Sequence, residues 1–391
     1  MFTTDFNFTD EQKELRRLTR RIAEEKIRPV AAKYDEANEF PWPIVKIISE
    51  AGLFGVFIDE AYGGAATASA VMDLCIVTEE LSRACGGIAL SLAGTALGTF
   101  PIILYGNEEQ KKKYLPAIAD GKKLAAFALT ESEAGSDAGG IKTSAVKDGD
   151  YYIINGTKQW ITNAGEAEIY SIVTITDKNK GARGATAFII EKDTPGFSFG
   201  KKENKMGIRA SATRELIFEN CRVPKNQILG KEGFGFFVAM KTFDASRPGV
   251  AAQALGIAQG ALDLAVEYSR TRKQFGKPIS SFQGLQFMLA DMATQVAAAR
   301  YLTYEAARAA DNKHPNVGAI SAMAKLFASD TAMRVTTDAV QVFGGYGYMK
   351  EYPVEKMMRD AKITQIYEGT NQIQREVIAL ELIKESARKN K

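Results

Sequence analysis

One short run near the C-terminus places a carboxylate beside a backbone that a ligand can approach closely. Glu368 stands directly before Gly369 in the run Ile366–Arg375, and Thr370 or Asn371 could cap the helix that follows. Because glycine leaves space next to the backbone, such a carboxylate could act as the base for a weak carbon acid. The same carboxylate could instead only complement the positive end of the following helix.

The histidine and cysteine content argues against several other kinds of catalytic or metal site. The single histidine, His314, stands in a polar loop, which argues against a histidine-based triad and against a multi-histidine metal site. Cys75, Cys85 and Cys221 have apolar neighbours and no spacing typical of a metal site or a disulfide, so we expect buried, reduced thiols in a cytoplasmic protein. Catalysis would therefore use carboxylates and a bound cofactor, with no metal.

Length and charge set the broad class. The chain has 391 residues, which is too long for a single hydrophobic core and predicts two or three domains. Of these residues, 46% are hydrophobic and 25% are charged, as is usual for a globular protein. Fifty basic and 47 acidic residues give a net charge of +3, so no strong field would attract nucleic acid or an anionic membrane. We expect no signal peptide and no uncharged apolar stretch of the ~20 residues that span a membrane.

The elements that must position Glu368 fall into three parts, and residues 1–126 are predicted to form a helical domain. Thr9 and Gln12 have the spacing of a capping box at the start of a charged, amphipathic helix. Paired glycines separate the later helical segments. The predicted helices cover Glu11–Lys33, Trp42–Ala51, Ala70–Ala84 and the neighbourhood of Glu108–Ile118.

Residues 127–232 are predicted to form a middle domain of antiparallel β-strands. Short runs rich in β-branched and aromatic residues alternate there with turn residues. Asn155-Gly156 is a strong hairpin signal between two such runs. The predicted strands include Tyr151–Ile154, Ile169–Thr176, Ala185–Ile190 and Glu215–Phe218.

Helical periodicity returns in residues 233–391. Leu285, Met288, Leu289, Met292 and Val296 fall at i, i+3, i+4, i+7 and i+11, which is one apolar stripe on one helix. Four or five long, alanine-rich helices in this part predict a C-terminal four-helix-bundle domain. The whole chain is therefore predicted to be an α+β multidomain protein.

Five separated motifs resemble those of the acyl-CoA dehydrogenases and occur in that family's order. They are Phe127–Asp137, Trp160–Asn163, Arg272–Ile279, Gln341–Gly345 and Ile366–Arg375. The resemblance covers nearly the whole chain. It implies a helical N-terminal domain, a β middle domain and a C-terminal helical bundle, with bound FAD, a homotetramer, and electron transfer to electron-transfer flavoprotein.

The resemblance implies a reaction in which Glu368 removes the α-proton of an acyl-CoA thioester and the β-hydride passes to flavin N5. The backbone amide of Glu368 and a ribityl hydroxyl of the flavin would bind the thioester carbonyl, where negative charge develops. A carboxylate in such a dry pocket should have a raised pKa, because burial disfavours its charged form.

The resemblance also implies the FAD contacts. Trp160 and Thr162 would line the flavin ring, with the Thr162 hydroxyl near N5, and Leu129 and Thr130 would contact its pyrimidine edge. The pyrophosphate and adenosine end would be bound across a subunit interface, where the planar fork of Arg272 suits pyrophosphate. The implied FAD-binding residues are Phe127, Leu129, Thr130, Gly135, Ser136, Trp160, Thr162, Arg272, Gln274, Phe275, Phe282, Gln283, Gln341, Gly344, Gly345, Thr370 and Gln372.

Ser136, Asp244, Arg247 and Gly369 are the positions that the resemblance assigns to the acyl-CoA. Asp244 and Arg247 are three residues apart, so they could simply pair with each other on a helical turn. Pro248, directly after Arg247, predicts a helix start or a kink.

Several of the cofactor positions also have purely structural interpretations. Trp160 could fill the core of the β domain, and Thr162 could reflect only the β-propensity of threonine. Arg272 could form a surface ion pair, and Gly344 with Gly345 could form a helix C-cap. The residues taken one by one do not decide between these interpretations.

The segment Ile88–Leu97 bears on the acyl group. Some members of the family that this chain resembles take dicarboxylic acyl groups and carry a charged pair there, whereas Ser91–Ala96 is small and neutral. This argues against a glutaryl-type substrate and favours a short- to medium-chain linear, branched or alicyclic acyl group. Ser91 could contact that group or donate to a helix carbonyl.

Other functions use much of the same sequence. The reverse reaction, enoyl-CoA reduction, would need the same residues, and an oxidase would pass the electrons to O2 instead. A non-catalytic homologue acting as an assembly partner is a further alternative, against which the presence of Glu368 counts. A Rossmann dehydrogenase is rejected, because Gly230–Gly235 and Gly344–Gly347 lack the strand–GxGxxG–helix context.

Overall fold

The N-terminal domain is helical, and its first helix begins at the predicted cap. In the computed structural model, which describes residues 6–389, Thr9 and Gln12 exchange reciprocal side chain–backbone hydrogen bonds of 3.2 Å. The predicted capping box is therefore confirmed. The helices of this domain are α1 (Asp10–Ile22), α2 (Ala31–Ala37), α3 (Trp42–Glu50), α4 (Ala70–Ala84), α5 (Gly86–Tyr105) and α6 (Glu108–Ala119).

The predicted helical segment Glu11–Lys33 is helical throughout, but it is not a single α-helix. Helix α1 ends at Ile22, and a π-helical turn at Ala23–Ile27 and a 3-10 turn at Arg28–Val30 follow. Pro29 lies in the second of these turns. Proline has no N–H to donate to the preceding turn, so the α-helical hydrogen bonds cannot continue through it.

The middle domain is a single twisted sheet of mixed direction. Its strands are ordered β6-β7-β3-β2-β4-β5-β8, and β1 pairs in parallel with β4 while most of the other pairs are antiparallel. The antiparallel prediction was therefore wrong for two pairs, because β1 and β2 both pair with β4 in parallel. The strands are β1 (Ala125–Ala128), β2 (Ser144–Asp148), β3 (Tyr151–Thr162), β4 (Ile169–Ile175), β5 (Ala185–Glu191), β6 (Phe197–Phe199), β7 (Thr213–Pro224) and β8 (Ile228–Leu229).

The predicted hairpin turn at Asn155-Gly156 was also wrong. Both residues lie inside β3, where the pairing with β7 shifts register at a bulge. Gly156 has φ of 140°, and a Cβ there would lie 2.7 Å from Thr143 Oγ1, so this glycine serves a close strand contact. The turn between β2 and β3 falls instead at Gly149-Asp150, where Gly149 has φ of 60°.

The C-terminal domain is a helical bundle, as predicted. On its second helix Met292 and Val296 are fully buried, while the earlier part of the apolar stripe is only partly covered. Pro248 lies inside the first helix, so the predicted helix start there was wrong. The helices are α7 (Gly235–Thr271), α8 (Gln283–Asp311), α9 (Val317–Phe343), α10 (Val354–Thr364) and α11 (Asn371–Lys389), with a small hairpin of β9 (Lys273–Gln274) and β10 (Lys277–Pro278).

In the described part of the chain, α5 and α7 are long and apolar enough by composition to cross a membrane. Helix α5 carries no charge over its 20 residues, so the expectation that no uncharged stretch reaches this length was wrong. Of the apolar window in each helix, 78% is buried within the fold for α5 and 83% for α7. Helices that pack on all sides are hydrophobic all round.

A buried charge cluster joins the N-terminal domain to the bundle. Glu79 on α4 is 1% exposed and accepts hydrogen bonds from Arg300 Nε (3.0 Å) and Nη2 (2.8 Å) on α8. The Tyr304 hydroxyl also donates to Glu79. Burial alone would raise the pKa of the Glu79 carboxyl, but the positive charges of Arg300 and Arg16 hold it below its usual value.

We expect Arg300→Met to lower the free energy of unfolding at neutral pH by about 3–5 kcal/mol, because it leaves the Glu79 carboxylate buried without its main cation. The loss should shrink on acidification, since a carboxylate with a lowered pKa stabilises the fold only while it is ionised. Urea unfolding midpoints at several pH values measure both effects.

Arg17→Met is the matched control for this variant. Arg17 pairs with Glu14 on α1, where the two side chains are 68% and 70% exposed. An exposed pair of this kind contributes about 0.2–1 kcal/mol. Equal losses in the two variants would contradict the structural role assigned to the Glu79–Arg300 pair.

Candidate active site

All three domains contribute to a cavity of about 540 Å³. Its size is within the range of small-molecule and cofactor sites. Its walls come from helices α4, α5, α7 and α11 and from the loop between α10 and α11. The strands β1 and β3 and the segments that follow them complete it. The predicted site residues that line it are Phe127, Leu129, Thr130, Gly135, Ser136, Trp160, Thr162, Arg247, Glu368 and Gly369.

Glu368 lies in the loop between α10 and α11, in an unusual backbone conformation. Glu368 has φ of 51° and Gly369 has φ of 91°, so two successive residues adopt the left-handed region. Helix α11 then begins at Asn371, with the Ile373 amide donating to Thr370 Oγ1 at 3.3 Å. The predicted cap is confirmed at Thr370, which fixes the loop against the start of the helix.

The Glu368 carboxylate is surrounded by one hydroxyl and two cations. Ser246 Oγ on α7 donates to Glu368 Oε2 at 2.5 Å. Burial raises the pKa of the Glu368 carboxyl above its usual value, while the Ser246 hydrogen bond and the charges of Arg247 and Lys325 act in the opposite direction. The carboxylate therefore binds a proton more tightly than usual. Its ionised form is still stabilised by the positive charges of Arg247 and Lys325.

Arg247 is a buried cation with a donor left over. Its Nη1 lies 3.9 Å from Asp244 Oδ1, so the pairing within this helical turn exists but is long. Arg247 is 5% exposed, and its Nε finds no acceptor among the described residues. A buried donor without a partner costs about 1–3 kcal/mol, so a ligand in the cavity that accepts from Arg247 would recover part of this cost.

The β domain presents Trp160 and Thr162 to the cavity. Trp160 is 59% exposed with φ of 56° at a bulge of β3, so it does not fill the core of the domain. The neighbouring Lys158 is buried and donates to Leu129 O (2.9 Å) and Glu131 Oε1 (2.7 Å). Burial lowers the pKa of Lys158 to about 8. This lysine holds the segment after β1 against β3.

Helix α5 forms an uncharged wall that contains both large and small residues, namely Leu90, Ala93, Gly94, Leu97 and Phe100. Ser91 donates to Ile88 O at 2.8 Å, so the helix-carbonyl interpretation of this hydroxyl is confirmed. Ala93 and Gly94 line the cavity. A Cβ on Gly94 would lie 2.8 Å from Thr162 Cγ2, so the absence of a side chain there lets α5 approach the end of β3.

A second cavity, of about 580 Å³, lies beside the β9–β10 hairpin and the end of α9. The guanidinium of Arg272 lies 5.2 Å from the centre of the Tyr346 ring, and Phe275 is 92% exposed. Gly344 directly follows α9 and has φ of 62°, so the interpretation of this glycine as a helix C-cap is confirmed. The predicted residues brought together here are Arg272, Gln274, Phe275, Phe282, Gln341, Gly344 and Gly345.

Four predicted residues line neither cavity. They are Asp244, Gln283, Thr370 and Gln372, of which Gln283 and Gln372 are exposed near helix starts. Their binding assignments stay predictions.

Sequence reasoning gave no role to Lys325 and did not find the hydrogen bond from Ser246. The sequence did contain a hint of Lys325, because it is the only charged residue between Val317 and Ser329. Leu74 and Thr78 on α4 also line the cavity, but no feature of the sequence indicated this.

The domains match three models of one family. Residues 9–122, 126–221 and 233–383 match the N-terminal, middle and C-terminal domains of acyl-CoA dehydrogenase. A short-chain specific acyl-CoA dehydrogenase of Clostridium acetobutylicum is 51% identical over 377 residues, which cover 96% of this chain and 98% of that protein.

Two solved structures are similar over nearly the whole chain. Butyryl-CoA dehydrogenase from Megasphaera elsdenii has a TM-score of 0.94 at 48% identity, covering 97% of this chain and 100% of that chain. A structure described as the electron transferring flavoprotein of Acidaminococcus fermentans also has a TM-score of 0.94, at 50% identity, covering 97% and 99%. These matches confirm the predicted family, and the chain belongs to the acyl-CoA dehydrogenase family of oxidoreductases.

Proposed function

We propose that this protein is an FAD-dependent dehydrogenase that introduces an α,β double bond into a short- to medium-chain acyl-CoA. The single observation that carries the proposal is that Glu368, Trp160 and Thr162, from different domains, line one cavity. The similarity to a short-chain specific relative and to butyryl-CoA dehydrogenase supports a short acyl group. The uncharged wall of α5, which carries Leu90, Leu97 and Phe100, agrees with an apolar acyl group.

The cavity residues fit a flavin. A Cβ on Gly135 would meet no atom within 4 Å, so open space lies beside this part of the backbone. Trp160, Thr162, Leu129 and Thr130 would hold the ring system. FAD, when bound, would supply the acceptor for the β-hydride of the substrate.

The other cofactor residues support a second part of the proposal. The cavity that contains Arg272, Gln341 and Gly344 shares no lining residue with the cavity that contains Glu368. We therefore propose that it binds the pyrophosphate and adenosine end of the FAD of a neighbouring subunit in a homotetramer.

Glu368 would take the α-proton of the bound thioester. The hydrogen bond from Ser246 orients one carboxylate oxygen. The positive charges of Arg247 and Lys325 favour the ionised carboxylate, which is the form that can act as a base. The Glu368 N–H donates to no group in the described part of the chain, so it is available for the thioester carbonyl. A donor aimed at that oxygen stabilises the negative charge that develops as the proton leaves.

The electron acceptor and the location complete the proposal. Similarity to a chain from an electron transferring flavoprotein structure supports electron-transfer flavoprotein as the partner. The three cysteines are free and buried, which agrees with a cytoplasmic location.

We expect Glu368→Gln to keep its flavin and to bind butyryl-CoA but to lose anaerobic bleaching of the flavin by at least about 10³-fold, because the amide cannot accept the α-proton. Stopped-flow absorbance measures the rate. Glu376→Gln is the matched control, since Glu376 also lines the cavity and is exposed. It should bleach nearly as fast as the wild type.

Two outcomes would change this assignment. Bleaching at the wild-type rate in Glu368→Gln would remove Glu368 from the role of base. Peroxide formation in air at a rate comparable to turnover would indicate an oxidase in place of a dehydrogenase.

A panel of acyl-CoA substrates tests the acyl pocket. We expect butyryl-CoA to bleach the flavin and glutaryl-CoA to fail, because the wall of α5 offers no charge to the distal carboxylate. Octanoyl-, isovaleryl- and cyclohexanecarboxyl-CoA determine the upper limit in length and width. Bleaching by glutaryl-CoA at the butyryl-CoA rate would contradict the assignment of this wall.

Gly94→Ala tests the contact between α5 and β3. The added methyl would press on Thr162, so we expect a lower flavin-to-protein absorbance ratio and a slower reaction. Gly249→Ala is the control, because a Cβ there meets no atom within 4 Å although Gly249 also lines the cavity. Both variants gain helix propensity, so only the steric effect should separate them. Equal flavin content in both would contradict this role for Gly94.

A further inference from the structure

Lys325 on α9 is fully buried, and its side chain reaches the loop that carries Glu368. Its Nζ donates to Gly369 O at 2.8 Å and to Asn371 Oδ1 at 2.9 Å. We propose that Lys325 is a positioning residue for the base: its ammonium fixes the Glu368–Gly369 backbone and adds to the positive charge of Arg247, which favours the ionised form of Glu368. This inference rests on the proposed role of Glu368.

The loop needs such support because its conformation is strained. Residues other than glycine adopt the left-handed region at an energetic cost, because the Cβ crowds the backbone there, and Glu368 has φ of 51°. Strained residues persist where surrounding contacts determine them. Here Gln374 Nε2 donates to Glu368 O (3.1 Å) and Gly369 O (2.9 Å), and Lys325 adds its bond to Gly369 O from another helix.

Lys325 also belongs to a cluster that ties three helices to the loop. Asn371 Oδ1 accepts from Ser329 Oγ at 3.1 Å as well as from Lys325, and Asn371 Nδ2 donates to Asp330 Oδ1 at 2.7 Å. Asp330 in turn accepts from Gln365 after α10 at 2.7 Å. The position of Glu368 is thus determined from α9, from α11 and from the end of α10.

The charge of Lys325 can act on Glu368 because its ammonium is buried beside the next residue of the loop, where water screens it little. Burial lowers the pKa of Lys325 to about 7, so the ammonium is fully charged only below that pH, which is the range in which Glu368 titrates. The charged groups that act on it are Glu368, Arg247 and Asp330. Those that act on Glu368 are Arg247 and Lys325, beside the Ser246 hydroxyl.

The experiment compares Lys325→Met, which removes donor and charge, with Lys325→Gln, which keeps a donor and removes only the charge. Without the cation the carboxylate is disfavoured, so the pKa of Glu368 should rise. The acidic limb of kcat/KM for butyryl-CoA should then move to higher pH by about one unit in both variants, a roughly tenfold loss at pH values below the limb. Only Lys325→Met should also lose the loop contact and lower the unfolding midpoint strongly.

A spectroscopic measurement reports the protonation of the base without turnover. In infrared difference spectra, the carboxylic acid stretch of Glu368 is identified as the band that is missing in Glu368→Gln. In both Lys325 variants this band should persist to higher pH than in the wild type. If Lys325→Met does not fold, Lys325→Gln alone tests the charge.

Ser329→Ala is the matched control, because it removes a contact to Asn371 from the same helix without changing charge. Its pH limb and infrared band should stay at the wild-type position. An unshifted limb and band in Lys325→Gln would overturn the inference and leave Lys325 a structural residue. The proposed function would fail separately, through full activity of Glu368→Gln.

Discussion

The partly buried Glu368, whose carboxylate faces the cavity, is the constraint on which the rest of the site depends. A carboxylate withdrawn from water binds its proton more tightly, which suits the removal of a proton from carbon but also threatens to leave the group protonated. The structure balances the two effects with a hydroxyl from Ser246 and with the charges of Arg247 and Lys325. Each of these groups comes from a helix of the bundle, so the bundle determines the protonation of the base.

The other domains determine what can stand beside that base. Strand β3 carries Trp160 at a bulge, where the positive φ directs the ring to the cavity in place of the core. Helix α5 approaches the end of the same strand because Gly94 has no side chain. The Glu79–Arg300 pair joins α4, which lines the cavity, to α8 of the bundle.

Local features of the chain predicted much of the fold. The capping box at Thr9, helix α4 over Ala70–Ala84 and the strands around Ile169 and Ala185 follow from side-chain patterns over a few residues. The predictions failed where distant contacts reverse a local preference. Asn155-Gly156 has turn chemistry, but pairing with β7 keeps it within a strand and uses the glycine for a close contact with Thr143. Likewise, the uncharged α5 is buried by packing and not by a membrane in the described fold.

The sequence by itself determined the family, the three-part architecture and the identity of the candidate base. These follow from short motifs and from the periodicity of hydrophobic residues, both of which involve only residues near one another in the chain. Only the tertiary structure decided which groups surround that base. Lys325 and Glu368 are separated by most of two helices in sequence, and Ser246 lies far upstream, yet all three meet at the loop between α10 and α11. A pKa depends on every charge and dipole within a few ångströms, and those distances exist only after the domains have packed.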